Sequence, residues 1–485
     1  MLFSNFEYFI FFALVFLYKW YLGPFLFGNT EKERNYSHIF LLIVSYMFYM
    51  SWNYRFGALI FISTVIDYYL AIRITETDSK KQKKTFLYIS VFLNLVCILG
   101  FFKYYNFFSE NINLFLSLFG FKSPFPLLHI VLPVGISFFT FQSLSYTIDV
   151  YREIIPCERS FIRFSLFVSF FPQLVAGPIV TAKSFLPQLF EKVEFQDIQF
   201  RVAIRYFFLG YFKKVILSDN AAPIVDLIFR SPENYGTTAS WIAAILFSIQ
   251  IYCDFSGYSD MAYGSALLLG YRLPENFRLP FISRSITEFW GLRWHLSLSI
   301  WIRDYVYIPL GGSRVSYFRH KFNLWLTMFL SGIWHGANWT FVIWGSVQGF
   351  LVVIESLFNE FKKKKFGNRT FPSYRFFFIP HIIVSFFFMA IINTWFRAEN
   401  IQKEFIMLKN MLVWREAGLR PYMVNTALLV LLTVGLGHIL GYKIFEQKKE
   451  WKIPAALEFF GYIIFVFVFA ALTNDKELPF VYFQF

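Results

Sequence analysis

Apolar residues in this 485-residue chain come in long runs separated by short charged loops, not in the stripes of an amphipathic fold. Leu2–Leu22 is followed by the charged loop Glu31–Arg34, then by Ile39–Trp52 and Phe56–Ile72. The basic stretch Lys80–Lys84 precedes Phe86–Phe102. The C-terminal third has the same texture: Phe322–Ile333, Trp339–Leu357, Phe376–Trp395, Thr426–Leu440 and Ala455–Leu472. Between them, Val131–Val150, Phe161–Val175, Ala203–Leu217, Trp241–Tyr252 and Met261–Leu269 are apolar but often shorter than the roughly 20 residues of a spanning helix. Pro, Gly, Asp and Gln interrupt many of them. Such broken elements survive at membrane depth only where protein buries them or a cavity hydrates them. The pattern predicts an all-α polytopic membrane protein with about eleven membrane segments, some short or re-entrant. No internal repeat is visible, so one membrane-embedded domain over residues 1–485 is the simplest partition.

Composition strengthens this reading. Hydrophobic residues make up 57% of the chain and charged residues 16%, and 69 residues are Phe. A soluble domain carries about 25% charge. The net charge of +14 raises nucleic-acid binding, but the Lys and Arg sit between apolar runs, at Lys80–Lys84, Lys362–Lys365 and Lys443–Lys449. That placement fits basic loops held on the cytoplasmic side of a membrane. If Lys80–Lys84 is cytoplasmic, so is Glu31–Arg34, and the N-terminus lies outside. The first run contains Glu7 and Lys19 and lacks a small-residue cleavage site, so a retained helix is expected. Cys97, Cys157 and Cys253 form no Cys-x-x-Cys pair, which leaves neither a disulfide framework nor a zinc site indicated.

Polar residues in a bilayer are costly and so are functional candidates. They concentrate between Gln250 and Gln348. In QIYCDFSGYSD, helical spacing puts Gln250 with Asp254 and Ser256 with Asp260. These residues could line a site or bond neighbouring helices. In SITEFWGLRWHLSLSIWIRDYVYIPLGG, Thr287 to Arg303 can form one helix capped by Ser285, with Glu288 at capping-box spacing. Glu288 and His295 then share a stripe, about 10 Å apart along the axis. An interfacial helix, with Trp at headgroup level and Arg293 and Arg303 snorkelling, is the competing reading. In LSGIWHGANW, His335 stands between Gly332 and Gly336 and beside Trp334 and Trp339. An imidazole there can serve as a general base or proton relay, or be structural. The other histidines, His38, His129, His320, His381 and His438, show no ligand spacing, so no metal is expected. There is no G-x-S-x-G elbow, phosphate-cradling glycine loop or H-E-x-x-H pair.

Five motifs, in order, resemble the membrane-bound O-acyltransferase family: LPVGISFFTFQSLSYTIDVYR (Leu132–Arg152), FPQLVAGPIV (Phe171–Val180), DFSGYSDMAYG (Asp254–Gly264), RWHLSLSIWIRDYVYIPLGG (Arg293–Gly312) and GIWHGANWTFVIWG (Gly332–Gly345). The terminal PFVYFQF (Pro479–Phe485) is similar to a branch that acetylates exported polysaccharides such as alginate. The motif core is roughly residues 130–350. The resemblance implies a helical bundle around a central tunnel, and acyl transfer from a cytosolic thioester, acetyl-CoA, to a hydroxyl. It implies His335 as the catalytic histidine and His295 as the second. The branch often carries a basic pair before its Trp-His; here Leu292-Arg293 stands instead, leaving the charge balance of the first polar group open.

On this resemblance, His335 takes the proton of an acceptor hydroxyl that attacks the thioester carbonyl. Asn338 and His295 are candidate donors to the oxyanion. Asp254, Asp260 and Trp334 are further lining candidates, and Arg293 or Arg303 could attract coenzyme A phosphates. Implied partners are the lipid bilayer, the exported polysaccharide and an esterase-like periplasmic acetyltransferase; the implied location is the bacterial inner membrane. Competing readings are D-alanyl or other acyl transfer to a cell-wall polymer, an ion path through Asp254, Asp260 and His335, and a scaffold for periplasmic partners.

Overall fold

The computed structural model describes residues 2–28, 30–122, 124–175, 177–367, 378–446, 454–472 and 480–481. Every regular element among them is helical. Of the terminal motif only Phe480 and Val481 are described; 376–377, 447–453 and the rest of that motif lie outside. The chain is a multi-pass membrane protein. Seven helices among the described residues are long and apolar enough to cross a membrane: Phe6–Phe27, Tyr54–Glu76, Lys80–Ser117, Thr237–Leu268, Trp339–Phe366, Ile379–Arg397 and Pro421–Ile444. The expected count was about eleven. Ile136–Tyr151, one of the expected segments, has 16 residues and is buried along almost its whole length. It packs in protein instead of meeting lipid.

The chain divides into two compact units, Met1–Phe208 with Tyr258–Glu275, and Leu209–Gly257 with Asn276–Phe485. In the first, helices α1 (Phe6–Leu17), α2 (Glu31–Met50), α3 (Tyr54–Glu76), α4 (Lys80–Val91) and α5 (Ile136–Tyr151) surround aromatic packing of Phe3, Tyr8, Phe48 and Phe171. Their outer faces expose Phe6, Leu14, Phe25 and Ile62. Water would penalise such a surface, whereas lipid does not. Thr30 caps α2 by accepting the Glu33 N–H at 3.3 Å, and Glu31 and Glu33 complement the positive end of the helix.

One buried polar hub ties three of these helices together. The Asp67 carboxylate of α3 accepts hydrogen bonds from Ser90 of α4 at 2.5 Å, Thr147 of α5 at 3.0 Å and Asn94 at 2.9 Å. Ser63 donates in turn to Asn94 Oδ1 at 3.0 Å. In a desolvated interior, removing a shared acceptor strands each donor at about 1–3 kcal/mol apiece.

The second unit contains α6 (Asp219–Arg230), α7 (Thr237–Leu268, its residues from Tyr258 counting with the first unit), α8 (Leu296–Ile302), α9 (Tyr317–His335), α10 (Trp339–Phe366), α11 (Phe378–Arg397), α12 (Ile401–Leu412) and α13 (Pro421–Gly441). Its core joins Phe247, Ile251, Trp294, Phe341, Trp344, Met389 and Phe396. Helices α9 and α10 cross at Gly332 and Gly345. A Cβ on Gly332 would lie 2.5 Å from the Phe341 carbonyl oxygen and 2.6 Å from Gly345 Cα. The two glycines of the GIWHGANWTFVIWG motif thus let two backbones touch, and that contact fixes where α9 ends.

Two predictions arise from these buried groups. Asp67→Ala is expected to cost about 3 kcal/mol or more, read as a lower melting temperature in detergent. The second concerns Glu404 of α12, which is fully buried and accepts the Thr394 hydroxyl at 2.6 Å. Burial pushes its carboxyl up to about 8 from an ordinary 4.5, with the Thr394 bond opposing in part. The folded state therefore favours the neutral acid. Its contribution to stability is complete below pH 4.5 and is lost as pH rises through 8. Glu404→Gln is expected to flatten that part of the melting-temperature profile.

Candidate active site

His335 is the last residue of α9 and is buried. Its position follows from the glycine crossing: α9 stops, Gly336 lies flat under the Phe341 ring, and Asn338 starts α10. A Cβ on Gly336 would fall 2.2 Å from that ring, so no other residue fits without displacing Phe341. Aromatic rings enclose the imidazole. Trp344 stands perpendicular to it with centroids 5.4 Å apart, Phe396 of α11 lies at 5.0 Å, and Trp334 at 4.9 Å. Trp290 meets Trp344 edge-on at 5.5 Å and donates its indole N–H to Gln348 at 3.0 Å.

His295 belongs to the same unit but is presented differently. The expected single helix from Thr287 to Arg303 does not form. Ser285 does cap the start, accepting Glu288 N–H at 3.1 Å, but the helix loosens into a wide turn at Phe289–Arg293 and stops at Trp294, which is extended. His295 takes left-handed angles (φ 44°, ψ 52°) and caps α8, its Nδ1 accepting Leu298 N–H at 3.3 Å. Glu288 and His295 therefore do not share a helical stripe. The break is laced from outside: Arg278 N–H donates to the Arg293 carbonyl at 2.8 Å, and Leu296 N–H to the Asn276 carbonyl at 2.9 Å. Asn276 Oδ1 accepts the Ser297 hydroxyl at 2.9 Å. Backbone this strained persists only where its surroundings over-determine it. With Nδ1 accepting, the His295 proton resides on Nε2, and burial holds the imidazole pKa down to about 3, so the ring is neutral. The Trp334 ring lies between the histidines, 6.0 Å from His295 and 4.9 Å from His335.

Asp254 accounts for the charge left open by the sequence. Its Oδ1 pairs with Lys214 at 2.8 Å, and Lys214 also pairs with Asp219 at 2.7 Å. The approach depends on Gly257, where a Cβ would fall 2.6 Å from the Gly210 carbonyl oxygen. The other Asp254 oxygen accepts Val481 N–H at 2.6 Å, so Val481 is held inside the unit. Phe255 then joins this cluster to the histidine, touching Phe480 at 5.6 Å and His295 at 4.6 Å.

A family model for membrane-bound O-acyltransferases matches residues 39–396. The chain is 38% identical over 467 residues to the probable alginate O-acetylase AlgI of Pseudomonas aeruginosa, covering 94% of this chain and 84% of that one. Against its namesake from Azotobacter vinelandii the identity is 42% over 356 residues, 73% of this chain and 68% of the relative. The peptidoglycan O-acetyltransferase of Helicobacter pylori is 35% identical over 427 residues, 82% and 78% of the two chains. The chain belongs to the membrane-bound O-acyltransferase family. It is an O-acyltransferase, and the family's matched region contains His295, His335 and the polar cluster around Asp254.

The other sequence candidates fall out unevenly. Arg293 is not a snorkelling interfacial cation: it is buried, bonds the Glu288 carboxylate at 2.8 Å and reaches the Arg278 carbonyl at 3.3 Å. Arg303 is exposed and pairs with Asp304 at 2.7 Å. Asn338 caps α10 through the Thr340 N–H at 3.0 Å and donates to the Glu399 carbonyl at 3.0 Å, which engages both ends of its amide. Asp260 belongs to the first unit and both histidines to the second. Sequence reasoning missed Lys214, Asp219, Trp344 and Phe396. The signal for Lys214 was available as a Lys-Lys pair inside the apolar run FFLGYFKKVILSD.

Lys214→Met leaves Asp219 and Asp254 facing each other without their cation. Breaking a buried pair in this way costs about 3–5 kcal/mol. The expected result is a fall in detergent melting temperature that the triple variant with Asp219→Asn and Asp254→Asn partly reverses.

Proposed function

We propose that this acyltransferase passes an acetyl group from cytosolic acetyl-CoA to a hydroxyl, for O-acetylation of an exported polysaccharide, with His335 as the general base. The reading is carried by the buried His335 in its aromatic enclosure, within a chain whose relatives are named for alginate and peptidoglycan O-acetylation. His335 Nδ1 or Nε2 takes the hydroxyl proton as the oxygen attacks the thioester carbonyl carbon. Collapse of the tetrahedral intermediate expels the coenzyme A thiolate, which recovers the proton from the imidazolium. The neutral His295, held by the turn at Trp294, acts beside it as a hydrogen-bond donor through Nε2 and not as a second base. The enzyme works in the bacterial inner membrane and hands its product outward to a periplasmic acetyltransferase. An acetyl donor is favoured over D-alanyl because the teichoic acid D-alanyltransferase of Bacillus subtilis is 27% identical and over only 53% of this chain.

The test is polysaccharide O-acetylation in cells carrying His335→Ala beside wild type, with membrane abundance followed by blot. Loss of the acetyl ester at normal abundance is expected. Full acetylation at normal abundance would remove His335 from the chemistry.

A further inference from the structure

The oxyanion formed in this reaction needs more than one donor; of the two side chains first expected to supply them, His295 keeps Nε2 for the role proposed above, while Asn338 is engaged at both ends of its amide. The enclosure of His335 contains another. Trp344 lies in α10 with its side chain 2% exposed, and its indole nitrogen is buried with no hydrogen-bond acceptor among the described residues. Its ring is perpendicular to the His335 imidazole and in edge contact with Phe396 at 5.3 Å. One helical turn further along α10, Gln348 carries a side-chain acceptor on the same face, and its Oε1 receives the Trp290 N–H instead. A buried indole N–H normally finds a partner, and one without a partner in the resting protein carries a free-energy cost that an incoming acceptor relieves.

We infer that Trp344 Nε1–H is an oxyanion donor for the acyl transfer, receiving the carbonyl oxygen of the acyl thioester as it becomes negative. The inference rests on His335 as the base. In that step the acceptor oxygen forms its bond to the carbonyl carbon while its proton moves to His335. The carbonyl π pair withdraws to the oxygen facing Trp344. The carbon–sulfur bond then breaks, the pair returns to restore the ester carbonyl, and the thiolate takes the proton from His335. The indole has no acceptor lone pair available in its plane, so it cannot compete for the proton. It is also held by rings on several sides, which gives the preorganisation that makes such a donor effective.

The experiment compares initial acetylation rates with labelled acetyl-CoA in membrane vesicles from null cells complemented with the full-length chain. Trp344→Phe keeps a ring and removes the N–H. Replacement of Trp344 by 3-benzothienylalanine keeps the two-ring shape and replaces the N–H with sulfur. Both are expected to slow transfer by about 10²–10³-fold, the usual loss for one oxyanion donor, at normal abundance and with the same pH dependence as wild type. A normal rate in the benzothienyl variant overturns the proposal, even if Trp344→Phe is slow, since shape alone then suffices. A shifted pH profile also overturns it, because Trp344 would then act by tuning His335. If His335→Ala is inactive while both Trp344 variants are normal, only the donor assignment fails. If His335→Ala is fully active, the general-base reading fails and this one with it.

Discussion

A lysine among apolar helices is the constraint around which the second unit is arranged. Lys214 lies beneath packed side chains, where an isolated ammonium would be prohibitively costly to desolvate. Two carboxylates compensate it, Asp219 one turn along its own segment and Asp254 from α7. Val481 N–H adds a further hydrogen bond to the cluster by donating to Asp254. Val481 is thus drawn in by a charged acceptor, and Phe480 comes to rest on Phe255, the ring that also bears on His295. Helix packing, the Phe480–Val481 segment and His295 are coupled through one buried charge cluster.

That coupling explains why part of the site was legible in the sequence and part was not. Long apolar runs announced the membrane, because spanning helices have little choice of composition. His335 was visible since a lone ionisable residue between spans is expensive and its glycine and tryptophan neighbours have no other obvious use. The break at Trp294–His295 was invisible. Local spacing in SITEFWGLRWHLSLSIWIRD fits a continuous helix, capped by Ser285 as expected. What interrupts it is tertiary: Asn276 and Arg278, some 20 residues earlier in the chain, offer the backbone of 293–297 hydrogen bonds that a straight helix could not accept. Periodicity registers contacts within an element and is silent about a competitor arriving from elsewhere.

Arginine placement shows the same limit from the electrostatic side. Arg293 and Arg303 look equivalent in sequence, ten residues apart and each within two residues of an aromatic side chain. In the fold, Arg303 pairs with its neighbour Asp304 at the surface, while Arg293 is buried against Glu288. The buried pair brings Glu288 back toward the turn that releases His295, so Arg293 shapes the backbone where the sequence suggested a phosphate contact. A charge near a membrane surface and a charge that clamps a turn require the same side chain; only the position of the partner separates them.

The two histidines then divide by environment and not by residue type. His295 is fixed by its own backbone, with one ring nitrogen committed to capping α8 and the ring kept neutral by burial. His335 sits at the end of α9, surrounded by the rings of Trp334, Trp344 and Phe396. A base must change protonation state during the reaction, and a donor must not. The imidazole whose nitrogen is tied into a helix cap is poorly suited to pick up a proton there, because doing so would cost α8 its cap. The fold thus separates a histidine committed to a helix cap from one enclosed by aromatic rings at a helix end, and it is the second environment that the proposed proton transfer uses.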